Sequence, residues 1–245
     1  MAISVDDSVT RFTALGTYDG NPVTATSGSF TPANNSLLVV CIGASEASTN
    51  AASISSVSGG GLTWTSRGTR GTGNNGGGTN SPGFCAIYTA PVSTGSSMTV
   101  STAITWADNF VAFRVSSKVY IVTSQDASPI GTTGSGGPTQ TPAAGAEYTP
   151  TLFTATGAGR AFYCMSEQNG SSGSDGISTS TDTEDAAYYA SELVGIMSAY
   201  KASDHTSGSQ TGSIDPTAQT YVNWVALEVL AGAEASALLM GQACL

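Results

Sequence analysis

Short apolar runs of strand length, separated by clusters of Gly, Ser, Thr and Asn, occupy almost the whole chain, and hardly any stretch carries the 3.6-residue period of an amphipathic helix. Leu37 to Ile42 is continuously apolar and Leu62-Thr63-Trp64-Thr65 alternates. Phe84 to Tyr88, Met98 to Val100, Phe110 to Val122, Leu152 to Thr154, Ala161 to Met165, Ile196 to Tyr200 and Tyr221 to Leu230 read the same way. Many short strands punctuated by turn residues predict an all-β sandwich or jelly roll.

An internal repeat organises these runs. Phe30-Thr31 to Cys41 aligns without gaps on Phe153-Thr154 to Cys164, Ala86 to Ala90 on Ser198 to Ala202, and Val111 to Val115 on Val225 to Val229, in the same order. Two copies of one β unit, residues 22–125 and 147–232, follow from this, with 128–146 as the Gly/Pro-rich crossover. Each unit has an apolar face to cover, so the expected arrangement is one domain over 22–232 in which two pseudo-symmetric halves pack into a single sandwich with a shared core. Residues 1–21 remain as an N-terminal arm and 233–245 as an apolar tail. Phe12 and Leu15 in the arm and Leu238, Leu239 and Met240 in the tail are the expected subunit contacts, because exposed apolar ends need covering. A tail folded back on its own sandwich is the other reading.

Charge narrows the partners. Seven Lys and Arg stand against seventeen Asp and Glu in 245 residues, a net charge of −10. A basic face able to neutralise phosphates is hard to build from that, so nucleic acid is not an expected partner. No run of 18 apolar residues and no basic-then-apolar N-terminus is present, which predicts neither a membrane partner nor a signal peptide, and synthesis in a cytoplasm.

Catalytic designs are poorly supplied. The single His205 lies in the polar stretch Lys201 to Gly208 and reads as an exposed turn residue. Asp182-Thr183-Glu184-Asp185 and Asp175 lack calcium-loop spacing and read as solvated loops, and the glycine-rich stretch 71–78 lacks the Lys-Ser/Thr of a phosphate loop. Cys41, Cys85, Cys164 and Cys244 have no metal-ligand spacing; the first three sit in apolar runs and read as small buried hydrophobes, a Cys41–Cys164 disulfide being the alternative. No metal, cofactor or enzymatic activity is expected. Trp224 reads as core, and Trp106, beside Asp108 and Asn109, as the best exposed aromatic and the candidate glycan contact.

The succession Phe30-Thr31-Pro32, Leu37 to Ile42, Gly60-Gly61-Leu62-Thr63-Trp64-Thr65, Tyr88-Thr89-Ala90-Pro91, Met98 to Val100 and Val111 to Val115 resembles jelly-roll or immunoglobulin-like β-sandwich modules of tailed-bacteriophage virion proteins. The likeness is best over residues 22–125. It implies a non-enzymatic virion protein, most like the head decoration (cement) proteins, that binds the major capsid protein and copies of itself as a symmetric oligomer. A carbohydrate-binding or receptor-binding tail fibre module is the alternative that the same resemblance leaves open.

Overall fold

The computed structural model describes residues 1–17, 21–46, 52–71, 83–106, 112–140, 147–168, 177–178, 182–189, 194–216 and 221–233. All regular structure among them is strand. The N-terminal half supplies β1 (Ser4–Asp6), β2 (Phe12–Thr17), β3 (Val23–Thr26), β4 (Ser36–Glu46), β5 (Ala52–Ser58), β6 (Thr65–Gly71), β7 (Phe84–Val92), β8 (Ser101–Trp106) and β9 (Ala112–Thr123). The C-terminal half supplies β10 (Gln125–Gln140), β11 (Thr151–Ala155), β12 (Gly159–Gln168), β13 (Ile177–Ser178), β14 (Thr183–Tyr189), β15 (Val194–Tyr200), β16 (Gly208–Thr211), β17 (Asp215–Pro216) and β18 (Tyr221–Ala231).

Two large antiparallel sheets carry the architecture. One runs β1-β9-β4-β7-β6, with β2 also on β9, and the other β10-β18-β12-β15-β14. The aligned blocks of the sequence fall on β4 and β12, β7 and β15, and β9 and β18, which stand in the same order in their sheets. Smaller sheets, β3-β8-β5 in the first half and the pairs β11-β16 and β13-β17 in the second, complete the topology.

Why the central strands read as unbroken apolar runs is clear from their packing. Leu38, Val40, Ile42 and Ala44 of β4 point into a core shared with Val23 and Ala25 of β3 and Ile104 and Trp106 of β8. Leu37, Val39 and Cys41 point the other way, into a core shared with Phe162 and Cys164 of β12 and Val225, Leu227 and Val229 of β18. A third core places Ala161, Tyr163 and Met165 of β12 against Leu152 and Phe153 of β11. Both faces of β4 and β12 are thus dry, and a strand buried on both faces has no polar side to alternate with. The halves share a core, as the expected sandwich requires, and each also keeps one of its own, so the sandwich of the two large sheets carries further layers on its outer sides, four in all. Face-to-face layers of this kind bury about 1.5–3 kcal/mol of apolar transfer energy per large side chain.

Of the expected crossover 128–146, residues 128–140 lie in β10, and 141–146 lie outside the described residues. Gln125–Gln140 is an edge strand paired along β18, from Gln125 opposite Ala231 to Gln140 opposite Tyr221, with three register shifts. Its Gly, Thr and Ser content hides it from a hydrophobic pattern because an edge strand needs backbone pairing more than side-chain burial. Gly137 has φ +101°, and a Cβ there would lie 2.3 Å from the Val222 carbonyl, so only glycine lets the strand bulge at this point. Ser124, at φ +63°, turns the chain out of β9 into β10.

Candidate functional site

Three clusters of polar side chains among the described residues are built across layers. The first starts from Arg11, in the segment between β1 and β2. Its Nε lies 2.6 Å from Asp185 Oδ1 in β14, its second guanidinium nitrogen donates to the Asp185 carbonyl, and its third to Ser116 Oγ in β9 at 2.7 Å. Lys118 Nζ reaches Asp185 Oδ2 at 3.1 Å and the Asp7 carbonyl at 2.7 Å. Burial pushes the Asp185 carboxyl up, but Arg11 and Lys118 outweigh it and hold the group below the usual carboxylate range. Two further bonds extend the tie: Ile3 N–H donates to Asp204 Oδ2 at 2.8 Å, and the N-terminal ammonium donates to the Gly232 carbonyl at 2.8 Å. The N-terminal arm is therefore stitched into the protein along the seam between the halves.

The second cluster surrounds Glu228, a fully buried carboxylate on β18. It accepts from Thr132 N–H at 2.8 Å, Thr156 N–H at 3.0 Å and Thr156 Oγ1 at 2.6 Å, and its Oε1 lies 3.0 Å from His205 Nε2. Burial raises this carboxyl, yet the donors prevail and keep it below its ordinary value. Four elements meet on one charge: β10, the β11–β12 turn, the segment after β15, and β18. His205 is correspondingly covered, its side chain 7% exposed and its backbone paired with Gly159, rather than hanging in a wet turn.

Thiols form the third. Cys41 donates to the Tyr163 carbonyl at 3.9 Å, Cys164 to the Ile42 carbonyl at 3.4 Å, and Cys85 to the Asn223 carbonyl at 3.4 Å. All three are free and fully buried, as small hydrophobes in apolar strands should be. Burial, followed by the neighbouring thiols, pushes Cys41 and Cys85 well above the normal cysteine range. Such thiols are poor nucleophiles and poor metal ligands. Among the described residues no group of three His, Cys, Asp or Glu is arranged to hold a metal ion.

The residues singled out from sequence fare differently. Phe12 is 6% exposed inside the first core, so its own chain already covers it and it is not available as a subunit contact. Leu15 is 51% exposed. Leu238, Leu239 and Met240 lie outside the described residues. Trp106 is 2% exposed, its ring in the first core and its backbone held by Asn21, which donates to its carbonyl at 2.8 Å and accepts from its N–H at 3.1 Å. That burial corrects its reading as an exposed glycan platform, for a ring must show a face to stack on a sugar. Trp224, at 8% exposure, is core as expected. Asp182 and Asp185 are not in a solvated loop either: Asp182 is 4% exposed at its side chain, with Lys201 Nζ at 3.0 Å and Tyr163 Oη at 2.6 Å, and Asp185 sits in the first cluster, whereas Asp175 lies outside the described residues.

What these sheets define is a class, the all-β layered sandwich proteins. No family model, no curated protein and no solved structure matches the chain.

Proposed function

We propose that the chain is a structural, non-enzymatic virion protein of a bacteriophage, and within that class a capsid decoration protein that stabilises the head through symmetric contacts. The observation that carries the reading is the outer face of the β3-β8-β5 sheet. None of its three strands contains a charged residue. Thr24 and Thr26 are exposed on β3 and Ser53, Ser56 and Ser58 on β5, flanking Ser101 and Thr105 of β8. Register puts Thr26, Ser101 and Ser58 in one row, with Thr26 Oγ1 and Ser101 Oγ 2.9 Å apart. A hydroxyl-paved face carries no ions to desolvate when another protein covers it, and charge depletion marks the cores of protein interfaces.

The duplicated plan belongs to the same reading. Like order in the two large sheets, and the arm strands β1 and β2 standing on β9 where β10 stands on β18, support two copies of one unit.

The test is quantitative mass spectrometry of purified particles of the phage that encodes the chain, together with binding of the double variant Thr26→Lys, Ser56→Lys to undecorated heads. The reading expects a copy number in fixed ratio to the shell subunit, and binding reduced at least tenfold with unchanged thermal unfolding. Absence of the chain from particles overturns it.

A further inference from the structure

Beside the Glu228 cluster lies a groove of about 390 Å³ lined by Asp182, Lys201, Ser203, Asp204, His205 and Gln210. We infer that this groove is a binding site for a neutral saccharide. The inference does not depend on the virion reading, since it rests only on the chemistry that lines the groove.

Charge comes first. The ions around the groove are already matched: Lys201 Nζ is 3.0 Å from Asp182 Oδ2, and Arg160 Nε, set just behind, is 2.7 Å from Asp204 Oδ1. Glu228, the remaining carboxylate, is fully buried behind His205 and occupied by its own donors. An anion entering would face Asp182 and Asp204, and a cation would face Lys201. A neutral ligand meets no such opposition.

Hydrogen-bonding capacity comes second. Nε2 faces the Glu228 carboxylate, which only accepts, so Nε2 carries a proton and Nδ1 is the ring nitrogen left over. That Nδ1 is buried and has no hydrogen-bond partner among the described residues, although the side chain is only 7% exposed. Lys201 carries three N–H donors, more than its Asp182 contact uses. Ser203 is exposed with a hydroxyl that both donates and accepts, and Gln210 spends its amide nitrogen on long contacts of 3.4 and 3.3 Å to the Ser207 and Gly208 carbonyls, leaving its side-chain oxygen as an acceptor. Donors and acceptors thus both stand in the lining. Sugar ring hydroxyls, each both donor and acceptor, can use both.

Because His205 is the only histidine in the chain, its Cε1–H resonance is a single, assigned probe. The experiment is an NMR titration of the full chain with D-glucose, D-galactose, D-mannose and N-acetyl-D-glucosamine, with D-glucuronate and D-glucosamine as charged counterparts. The inference expects at least one neutral sugar to move that resonance saturably in the millimolar range, its charged counterpart to bind at least fivefold more weakly, and the variant Ser203→Ala, Gln210→Ala to weaken binding at least fivefold while the resonance of the free protein stays in place. A resonance that no neutral sugar moves, a charged sugar binding as well as the neutral one, or a shift that survives the double variant overturns it. No particle enters the experiment, so its failure leaves the decoration reading to its own test.

Discussion

Cys41 and Cys164, the residues that close the two aligned segments, meet across the central core, each thiol donating to a backbone carbonyl next to the other: Cys41 to Tyr163 and Cys164 to Ile42. Ser166 continues the ladder to the Ala44 carbonyl at 3.5 Å, at the same separation in sequence. Strands β4 and β12 therefore face each other with like positions opposed. Small thiols and hydroxyls let the two sheets approach closely while satisfying themselves on the opposite backbone.

Those thiols should be silent in the native protein. In the variant Cys244→Ser, titration with an aromatic disulfide reagent is expected to find no fast-reacting thiol, and three on addition of denaturant. The physical basis is full burial of all three, which removes access, and for Cys41 and Cys85 a raised pKa as well, which removes thiolate. Prompt reaction of any of the three under native conditions contradicts the seam as described.

Phe162→Ala tests the shared core. Phe162 is fully buried and its ring lies 5.7 Å from that of Tyr120 and 5.8 Å from that of Tyr200. Truncation should cost about 3–5 kcal/mol, read as a fall in the denaturation midpoint. A loss confined to well under 1 kcal/mol would mean that the halves do not rely on one another.

Asp185→Asn should destabilise more than Arg11→Ala. The first leaves two cations, Arg11 and Lys118, with side chains 9% and 8% exposed, without their carboxylate, whereas the second leaves Asp185 still paired with Lys118. Because Asp185 is itself partly solvated, about 1–2 kcal/mol is expected rather than the larger figure of a fully buried pair. A double-mutant cycle on chemical denaturation checks the order, which reversed values would contradict.

Acid should unfold the protein partly through Asp185 and Glu228. Both have folded pKa values below their unfolded ones, so each contributes stability that is present above an unfolded pKa of about 4 and is lost as pH falls through the lower folded value. Glu228→Gln and Asp185→Asn together should flatten the decline in melting temperature below about pH 4 relative to the unmodified chain, at the cost of lower stability near neutrality. An unchanged slope would mean that other carboxylates dominate.

How much of this was legible beforehand depends on which residues are asked. Leu37 to Ile42 and Ala161 to Met165 declare themselves as strands because burial on both faces demands uninterrupted apolar side chains, and Cys41, Cys85 and Cys164 declare themselves buried by standing among them. Gln125–Gln140 does not, since its contribution is backbone pairing, to which composition is nearly blind. Trp106 was misplaced by its polar sequence neighbours, and His205 and Asp182 by theirs: each is polar in context but buried in space, where a partner from another layer compensates it.

The sequence by itself determined that the chain is all-β, because side-chain periodicity is a local property of the strand. Only the tertiary structure decided that the halves stack as four layers, that the arm is stitched into the seam by Arg11, and that one buried carboxylate gathers four elements around the single histidine. Those outcomes depend on which distant groups meet, and hydrogen bonds and ion pairs between layers leave no period in the sequence to read.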